Sequence, residues 1–287
     1  MVRIAAIGDN DVDCYLSNGL MYPGGNCYNV SVFARRFGAD SAYVGAMADD
    51  AAGRHMRDVL QQEGVGIERL RTVEGITAYC VIGHVDGDRV FLNNDFGVSR
   101  FIPDMDDFDF LSGFDVAHVG QSSALDQWLP EIAQRTALSY DFAVRHEADH
   151  IAQVAPLCLL ASVSTSHLSQ KDAVELARTI RNAGAQWVLA TRGRDGAVLL
   201  DGDTQYDMQA VSVEAVDTLG AGDTFIARTL VGLMTKEKPG DTLSAAAEAA
   251  AKTCSYYGAV GYGVPIDLPV QLEMARATLN QSSPAAE

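Results

Sequence analysis

Apolar positions along the chain follow two alternating patterns. Short runs of strand length recur between longer stretches in which apolar residues return every three or four positions. That alternation predicts an α/β fold, a parallel sheet with helices on its faces. The first run, Met1-Val2-Arg3-Ile4-Ala5-Ala6-Ile7-Gly8, reads as a buried strand. Val30, Phe33, Ala34 and Phe37 mark one face of a helix that Gly38 ends. A second strand is expected over 41–47, then a helix from about 49 to 63 with Met56, Val59 and Leu60 facing inward. Further strands are expected near 115–119, 138–143, 157–161 and 186–191, and two short β runs at 196–201 and 204–214. Helices are expected at 169–183, 221–235 and 242–257, the last with Leu243, Ala246, Ala247, Ala250, Cys254 and Tyr257 on one stripe.

Residues 76–97 interrupt this rhythm. Two β-like runs, 76–83 and 89–94, are joined by Asp86-Gly87-Asp88, a strong turn signal. A hairpin placed between α/β units does not easily enter a parallel sheet. It is expected to protrude as a lid, completed by residues near 11–21, with an antiparallel edge of the main sheet as the alternative. The chain then reads as a single α/β domain, 1–287, carrying a small β lid formed by about 11–21 and 76–97. The polar end, 280–287, is expected to fray.

Composition narrows the chemistry. Twenty-one Lys and Arg against 38 Asp and Glu leave a net charge of -17. Such a surface repels nucleic acid and, at long range, ATP as well, so a nucleotide site must be built locally. The chain has four lysines, none of them in a Gly-x-x-x-x-Gly-Lys-Ser/Thr loop, which excludes an ordinary P-loop. Phosphate must then be held by backbone N–H groups or arginines. The five cysteines are scattered, without a Cys-x-x-Cys pair, and read as free thiols rather than a disulfide or zinc framework. No apolar run is long enough to span a membrane, and the first residues lack a signal-peptide pattern; the expected location is the cytoplasm, with no nucleic-acid or membrane partner.

Three segments carry candidate chemistry. The most specific is Asp217-Thr218-Leu219-Gly220-Ala221-Gly222-Asp223, between a strand and an apolar helix. Gly220, Ala221 and Gly222 stand at the helix entrance, where free N–H groups and the dipole favour an anion. Asp223 in the first turn points to the same place. A carboxylate beside an anion hole suits a general base that takes a proton from a hydroxyl attacking a phosphorus; a plain acid at a helix start is the other reading. The second segment, Pro23-Gly24-Gly25-Asn26-Cys27-Tyr28-Asn29, combines paired glycines with two asparagines, as a polyhydroxylated ligand requires; Asn26 as an N-cap is the alternative. Asp9 and Asp13, after the first strand, are placed to accept hydrogen bonds from sugar hydroxyls unless they belong to a solvated acidic loop. The third, Thr191-Arg192-Gly193-Arg194-Asp195-Gly196, follows a strand and reads either as a hairpin turn or as a nucleotide contact through Thr191 or Arg192.

In this order, the segments resemble the ribokinase/PfkB carbohydrate kinase family over nearly the whole chain. Asp-Thr-x-Gly-Ala-Gly-Asp matches its C-terminal signature, Gly24-Gly25-Asn26 its N-terminal one, and Thr191-x-Gly193-x-x-Gly196 its nucleotide-side turn. The resemblance implies a ribokinase-like, Rossmann-type three-layer core with a β lid over the sugar. It further implies MgATP as donor, room for a monovalent cation such as potassium, Asp223 as catalytic base, and dimerisation through the lid in many members. More narrowly, Ile7-Gly8-Asp9-Asn10-x-Val12-Asp13-x-Tyr15 and Asp88-Arg89-Val90-Phe91 look like the fructoselysine 6-kinase branch, which phosphorylates O6 of fructose joined to an amino acid through nitrogen. By that resemblance Asp9, Asp13, Gly24, Gly25, Asn26, Asn29 and Arg89 would contact the sugar. Thr191, Arg192, Gly193 and Gly196, with Gly220, Ala221 and Gly222, would contact the nucleotide. Fructokinase, 2-keto-3-deoxygluconate kinase, nucleoside kinase and a non-catalytic sugar or nucleotide sensor remain as alternatives. One departure stands out: where many members carry Asn-x-x-Glu to organise magnesium, this chain has Ser162-Val163-Ser164-Thr165, so the metal would rest on phosphates and waters, with Asp141 as a candidate helper, and no ligand is assigned.

Overall fold

The computed structural model describes residues 1–85 and 88–267. Its main sheet begins with β1 (Arg3–Ile7), and its next strand is β4 (Asp40–Ala48). Between them the chain makes β2 (Asp11–Tyr15), β3 (Leu20–Gly24) and helix α1 (Asn26–Arg36). After β4 come α2 (Ala51–Glu63), β5 (Leu70–Val73), and the hairpin of β6 (Tyr79–Val85) and β7 (Asp88–Asp95). The α/β rhythm resumes with α3 (Met105–Leu111), β8 (Val116–Gly120), α4 (Leu129–Arg135), β9 (Ala137–Asp141), α5 (Ala148–Val154), β10 (Cys158–Ser164), α6 (Gln170–Asn182) and β11 (Trp187–Thr191). Two antiparallel strands, β12 (Ala197–Asp201) and β13 (Thr204–Met208), precede α7 (Ala221–Met234), α8 (Pro239–Thr253) and the short β14 (Val264–Pro265).

The nine-stranded main sheet runs β13-β12-β11-β10-β9-β8-β1-β4-β5. It is parallel from β11 to β5, with β12 and β13 antiparallel at one edge. Alternate side chains of each strand leave on opposite faces. Ile4 and Ala6 join the core under α1, α2, α7 and α8; Ala5 and Ile7 join the core under α3, α4, α5 and α6. Residues on both faces of the central strands are buried, which is why those strands read as continuous apolar runs. From β1 the chain winds to one side through β4 and β5, then crosses to β8 and winds to the other. That reversal opens a crevice at the carboxyl ends of β1 and β8, where open α/β sheets take ligands.

A second sheet, β14-β3-β2-β6-β7, stands beside that crevice. The 76–97 hairpin enters this sheet and not the main one, through β2 pairing in parallel with β6. Its turn, 86–87, lies outside the described residues, as do the side chains of 84–90 and the polar end 280–287. Two expectations need correction. The strand expected over 204–214 stops at Met208. The helix expected over 242–257 instead starts at Pro239, whose ring suits a first helical position, and stops at Thr253. The sequence pattern also gave no warning of β5 or β14, each too short for a periodicity to register.

Two contacts fix the second sheet. Asp50, the N-cap of α2, accepts the Gly53 N–H at 2.8 Å and both the N–H and hydroxyl of Thr77, just before β6. The Tyr15 hydroxyl of β2 donates to Asp217, which also accepts the Gly258 N–H at 3.0 Å and the Leu219 N–H at 3.1 Å. The same loop that leads into α7 therefore anchors the second sheet.

The entry into α1 is sterically closed. Gly25 has φ 97°, and a Cβ there would stand 2.5 Å from Asn10 Cα. Both the left-handed backbone and the contact forbid a side chain. Gly25→Ala is expected to lose at least about 2 kcal/mol of stability in urea unfolding, with the slope unchanged.

Candidate active site

Asp9 ends the turn after β1 and meets the N-terminus of α1. Its carboxylate accepts the Asn26 N–H at 2.9 Å and the Cys27 N–H at 3.3 Å, together with the Ser122 hydroxyl at 2.9 Å and the Ser123 hydroxyl at 2.8 Å. Helix α1 has no side-chain cap of its own, because its N-cap is Gly25; Asp9 supplies the missing acceptor and the favourable charge. The solvated-loop reading of this segment therefore does not apply. Asn26 is not the N-cap either, but the first helical residue, and its side chain is free for other work.

That work is done with Asn29, one turn on. Asn26 Nδ2 donates to Asp223 Oδ1 at 2.8 Å, and Asn29 Nδ2 donates to Asp223 Oδ2 at 2.7 Å. Asp223 lies in the first turn of α7, yet the bonds it accepts come from α1. Asn26 Nδ2 also reaches Asp141 Oδ2 at 3.2 Å, at the carboxyl end of β9. The other Asp141 oxygen accepts from the Ser162 hydroxyl at 2.9 Å and the Ala143 N–H at 3.2 Å. Helix α7 starts at Ala221 behind a left-handed Gly220, φ 75°, and nothing lies within 4 Å of where a Cβ on Gly222 would stand. The helix entrance thus faces open space, with Asp223 at its rim.

These residues wall a cavity of about 640 Å³, ample for a small polar molecule. Asp9, Asp13, Gly25, Asn26, Asn29 and Asp223 line it; so do Asn10, Asp11, Asp141 and Ser122, and, from the second sheet and the segment after it, Tyr79, Phe91, Asn94, Asp95 and Phe96. Gly24 lies behind this wall, where any Cβ would strike the carboxylates of Asp13 and Asp11. Among the described residues, six carboxylates and no Lys, Arg or His line the cavity. Each buried, partnerless polar atom among the described lining residues is an acceptor: Asn10 Oδ1, Asp11 Oδ1 and Asn29 Oδ1.

Crowding of carboxylates out of water moves their protonation. Burial raises Asp223 to about 6, opposed by the amides of Asn29 and Asn26 and assisted by the charge of Asp9. Burial and the charge of Asp223 raise Asp141 to about 7. Asp11 also rises to about 7, through burial and the charges of Asp9 and Asp223. At neutral pH the site therefore carries less negative charge than its composition suggests.

Thr191, Arg192, Gly193 and Gly196 lie outside this cavity, at the carboxyl end of β11, two strands from β9. The segment does turn β11 into β12 as a hairpin, with Arg192 N–H bonded to Gly196 O at 2.8 Å. Thr165 closes on it through two bonds to Thr191 O, at 2.7 and 3.0 Å. Gly196, φ 94°, has no room for a Cβ against the backbone of 208–210. Arg89 lies on β7, but its side chain is outside the described residues. A wider depression of about 810 Å³, lined by Tyr22, Arg36, Tyr256, Tyr257 and Tyr262, contains none of the candidate residues.

The family model for pfkB family carbohydrate kinases matches residues 4–266. The chain belongs to this family. Among pfkB relatives, fructosamine kinase FrlD of Bacillus subtilis is 39% identical over 272 residues, 93% of this chain and 96% of that protein. Fructoselysine 6-kinase of Escherichia coli is 29% identical over 90% of this chain and the whole of that one. The fold is that of the ribokinases: the Arabidopsis thaliana enzyme, solved with ribose and ATP, superposes with a TM-score of 0.80 over 97% of this chain and 99% of that one, at 18% identity.

Of the residues singled out in the sequence, Asp9, Asp13, Gly25, Asn26, Asn29 and Asp223 converge on one cavity. Asp11, Asn10, Ser122 and Ser123 were not singled out. Asn10 follows β1, Asp11 opens β2, and Ser122 and Ser123 follow β8, so strand ends were the available signal. The raised carboxyl groups also bear on stability. A folded-state pKa above the unfolded value means the native state holds more protons, so stability falls as pH rises from about 4 to about 7. Asp11→Asn removes one such group. It is expected to raise the thermal midpoint by several degrees at pH 8 and much less at pH 5, measured by circular dichroism.

Proposed function

We propose that this chain is an ATP-dependent fructosamine kinase, transferring the γ-phosphoryl group of ATP to O6 of a fructose unit joined through nitrogen to an amino acid, as in fructoselysine. The observation that carries this reading is Asp223, held by Asn26 and Asn29 between an open helix N-terminus and a cavity of sugar size. The acceptor hydroxyl, brought against Asp223, gives it the proton as its oxygen bonds to the γ-phosphorus; the bond from that phosphorus to the β–γ bridging oxygen breaks and ADP leaves. A carboxyl near 6 is ionised at neutral pH yet basic enough to hold the proton in transit. The N–H groups of Gly220, Ala221 and Gly222 stabilise charge on the phosphoryl group. Thr191, Arg192, Gly193 and Gly196 take the nucleotide farther along the same edge.

Substrate choice follows from charge. A fructosamine carries a protonated secondary amine and several hydroxyls, so it is both cationic and rich in donors. The cavity offers six carboxylates and unpaired acceptors, which suits that ligand over a sugar acid. The relatives named above as fructosamine and fructoselysine kinases support the same choice. The second sheet serves as the lid over the sugar, with Asp13 and Arg89 contributing to sugar contact, and dimerisation through that sheet is part of this reading.

Magnesium is expected with the nucleotide. Among the described residues no group of three or more His, Cys, Asp or Glu side chains is placed to hold a metal ion, and 162–165 carry no carboxylate. The ion would therefore ride on phosphate oxygens and water, as magnesium commonly does. Potassium is a further expected ion. No described helix is long and apolar enough to cross a membrane, and a cytoplasmic location is part of the proposal.

Asp223→Asn is expected to bind ATP as wild type does while turnover falls at least about a hundredfold in a coupled ADP-release assay. Turnover within about twofold of wild type would remove Asp223 from the role of base. For the wild-type enzyme, kcat/KM for the sugar should fall on the acid side with an apparent pKa near 6, since the ionised form is the active one. In a panel of fructoselysine, fructose, 2-keto-3-deoxygluconate and nucleosides, fructoselysine should give the highest kcat/KM; equal or better use of free fructose would sink the fructosamine assignment.

A further inference from the structure

A chain of three hydrogen bonds runs from the interior of the sheet to Asp223. Ser139 on β9 and His118 on β8 are register partners, both fully buried. The Ser139 hydroxyl lies 2.9 Å from His118 Nδ1, and His118 Nε2 lies 2.9 Å from Asn26 Oδ1. Asn26 Nδ2 then reaches Asp223 and Asp141. Donor and acceptor roles follow without choice. The Asp223 carboxylate, ionised at neutral pH, can only accept, so the Asn26 NH2 faces it and Oδ1 faces the imidazole. Nε2 must carry the hydrogen, and Nδ1 must accept from Ser139. Burial holds His118 down to about 4, so the ring is neutral and has one proton to place, and Asn26 Oδ1, which can only accept, draws it to Nε2.

We propose that His118 is a positioning residue for phosphoryl transfer: by donating from Nε2 to Asn26 Oδ1 it locks the amide in the orientation that turns its NH2 toward Asp223. The inference rests on the reading of Asp223 as the base. Turned over, the Asn26 amide would set its oxygen against two carboxylates and its NH2 against the imidazole N–H, losing bonds at both ends. Gly120 completes the clamp, since any Cβ there would run into the Asn26 amide. The titratable groups that face this array are Asp9, Asp11, Asp141 and Asp223, all acidic, so an amide NH2 is the donor the base requires and the imidazole stands one bond behind it. A lone histidine in the otherwise apolar strand Val116–Gly120 thereby acquires a reason to be there.

A double-mutant cycle tests this. His118→Leu is expected to lower kcat by about tenfold or more with KM for ATP within about twofold of wild type. His118→Gln, whose amide can still donate at that place, should keep kcat within about fivefold. In an Asn26→Ala background, where there is no amide to orient, His118→Leu should cost less than about twofold further. Equal losses in the two backgrounds, or a His118→Leu enzyme with wild-type kcat, would overturn the proposal. If His118→Leu does not give a cooperative thermal transition, Ser139→Ala takes its place in the cycle and is read by the same comparison. The two failures are separable. An active Asp223→Asn variant refutes the base, whereas an inactive Asp223→Asn beside additive His118 effects refutes only the positioning role.

Discussion

The site depends on one carboxylate at the end of β1. Asp9 accepts four hydrogen bonds from the first amides of α1 and from two serines after β8, and in doing so ties together three separate stretches of chain. Four free N–H groups at a helix start must find acceptors, and here the acceptor comes from the end of β1. The direction of α1 is fixed by that choice. Asn26 and Asn29, one turn apart on the same face, then point at the start of α7 and not at solvent. The constraint also explains the closed packing around it: Gly25 leaves no space against Asn10, and Gly8, φ 143°, leaves none against Ser123.

Negative charge is concentrated where the proposed reaction brings a phosphoryl group, which at first sight opposes it. The geometry reconciles the two. Desolvation and mutual repulsion keep Asp11 and Asp141 near 7, so much of the charge is absent at neutral pH, while donors from Asn26 and Asn29 hold Asp223 lower, near 6. The group that the proposed mechanism needs ionised is the one with two amide donors. Such crowding opposes folding at and above neutral pH, a common feature of sites built for function more than for stability.

The fold was legible because most strands of the main sheet are buried on both faces and the helices on one, so burial wrote itself into the apolar pattern. The hairpin was legible for a different reason: an Asp-Gly-Asp turn signal between two β-like runs does not easily enter a parallel sheet. Asp223 and the Gly-rich helix entrance were visible because a helix N-terminus for an anion needs small residues at fixed spacing. His118 and Ser139 were visible only as polar intrusions in apolar strands. Nothing in the linear order relates them, since their contact exists only through the β8–β9 register.

The sequence by itself determined the kind of protein: an α/β sheet, a glycine-rich helix start with an acid in its first turn, and a second helix start rich in glycine and asparagine. Those are local properties, set by backbone conformation and by which side chains tolerate it. Tertiary structure decided what each polar residue does. Asp9 became a cap for α1, Asn26 a donor to Asp223 in place of a cap, and Asp11 a wall of the cavity, because strand order sets the end of β1 beside those of β8 and β9, from which the chain separates it by more than a hundred residues. Hydrogen-bond partners that far apart are chosen by the sheet, and no local pattern records the choice.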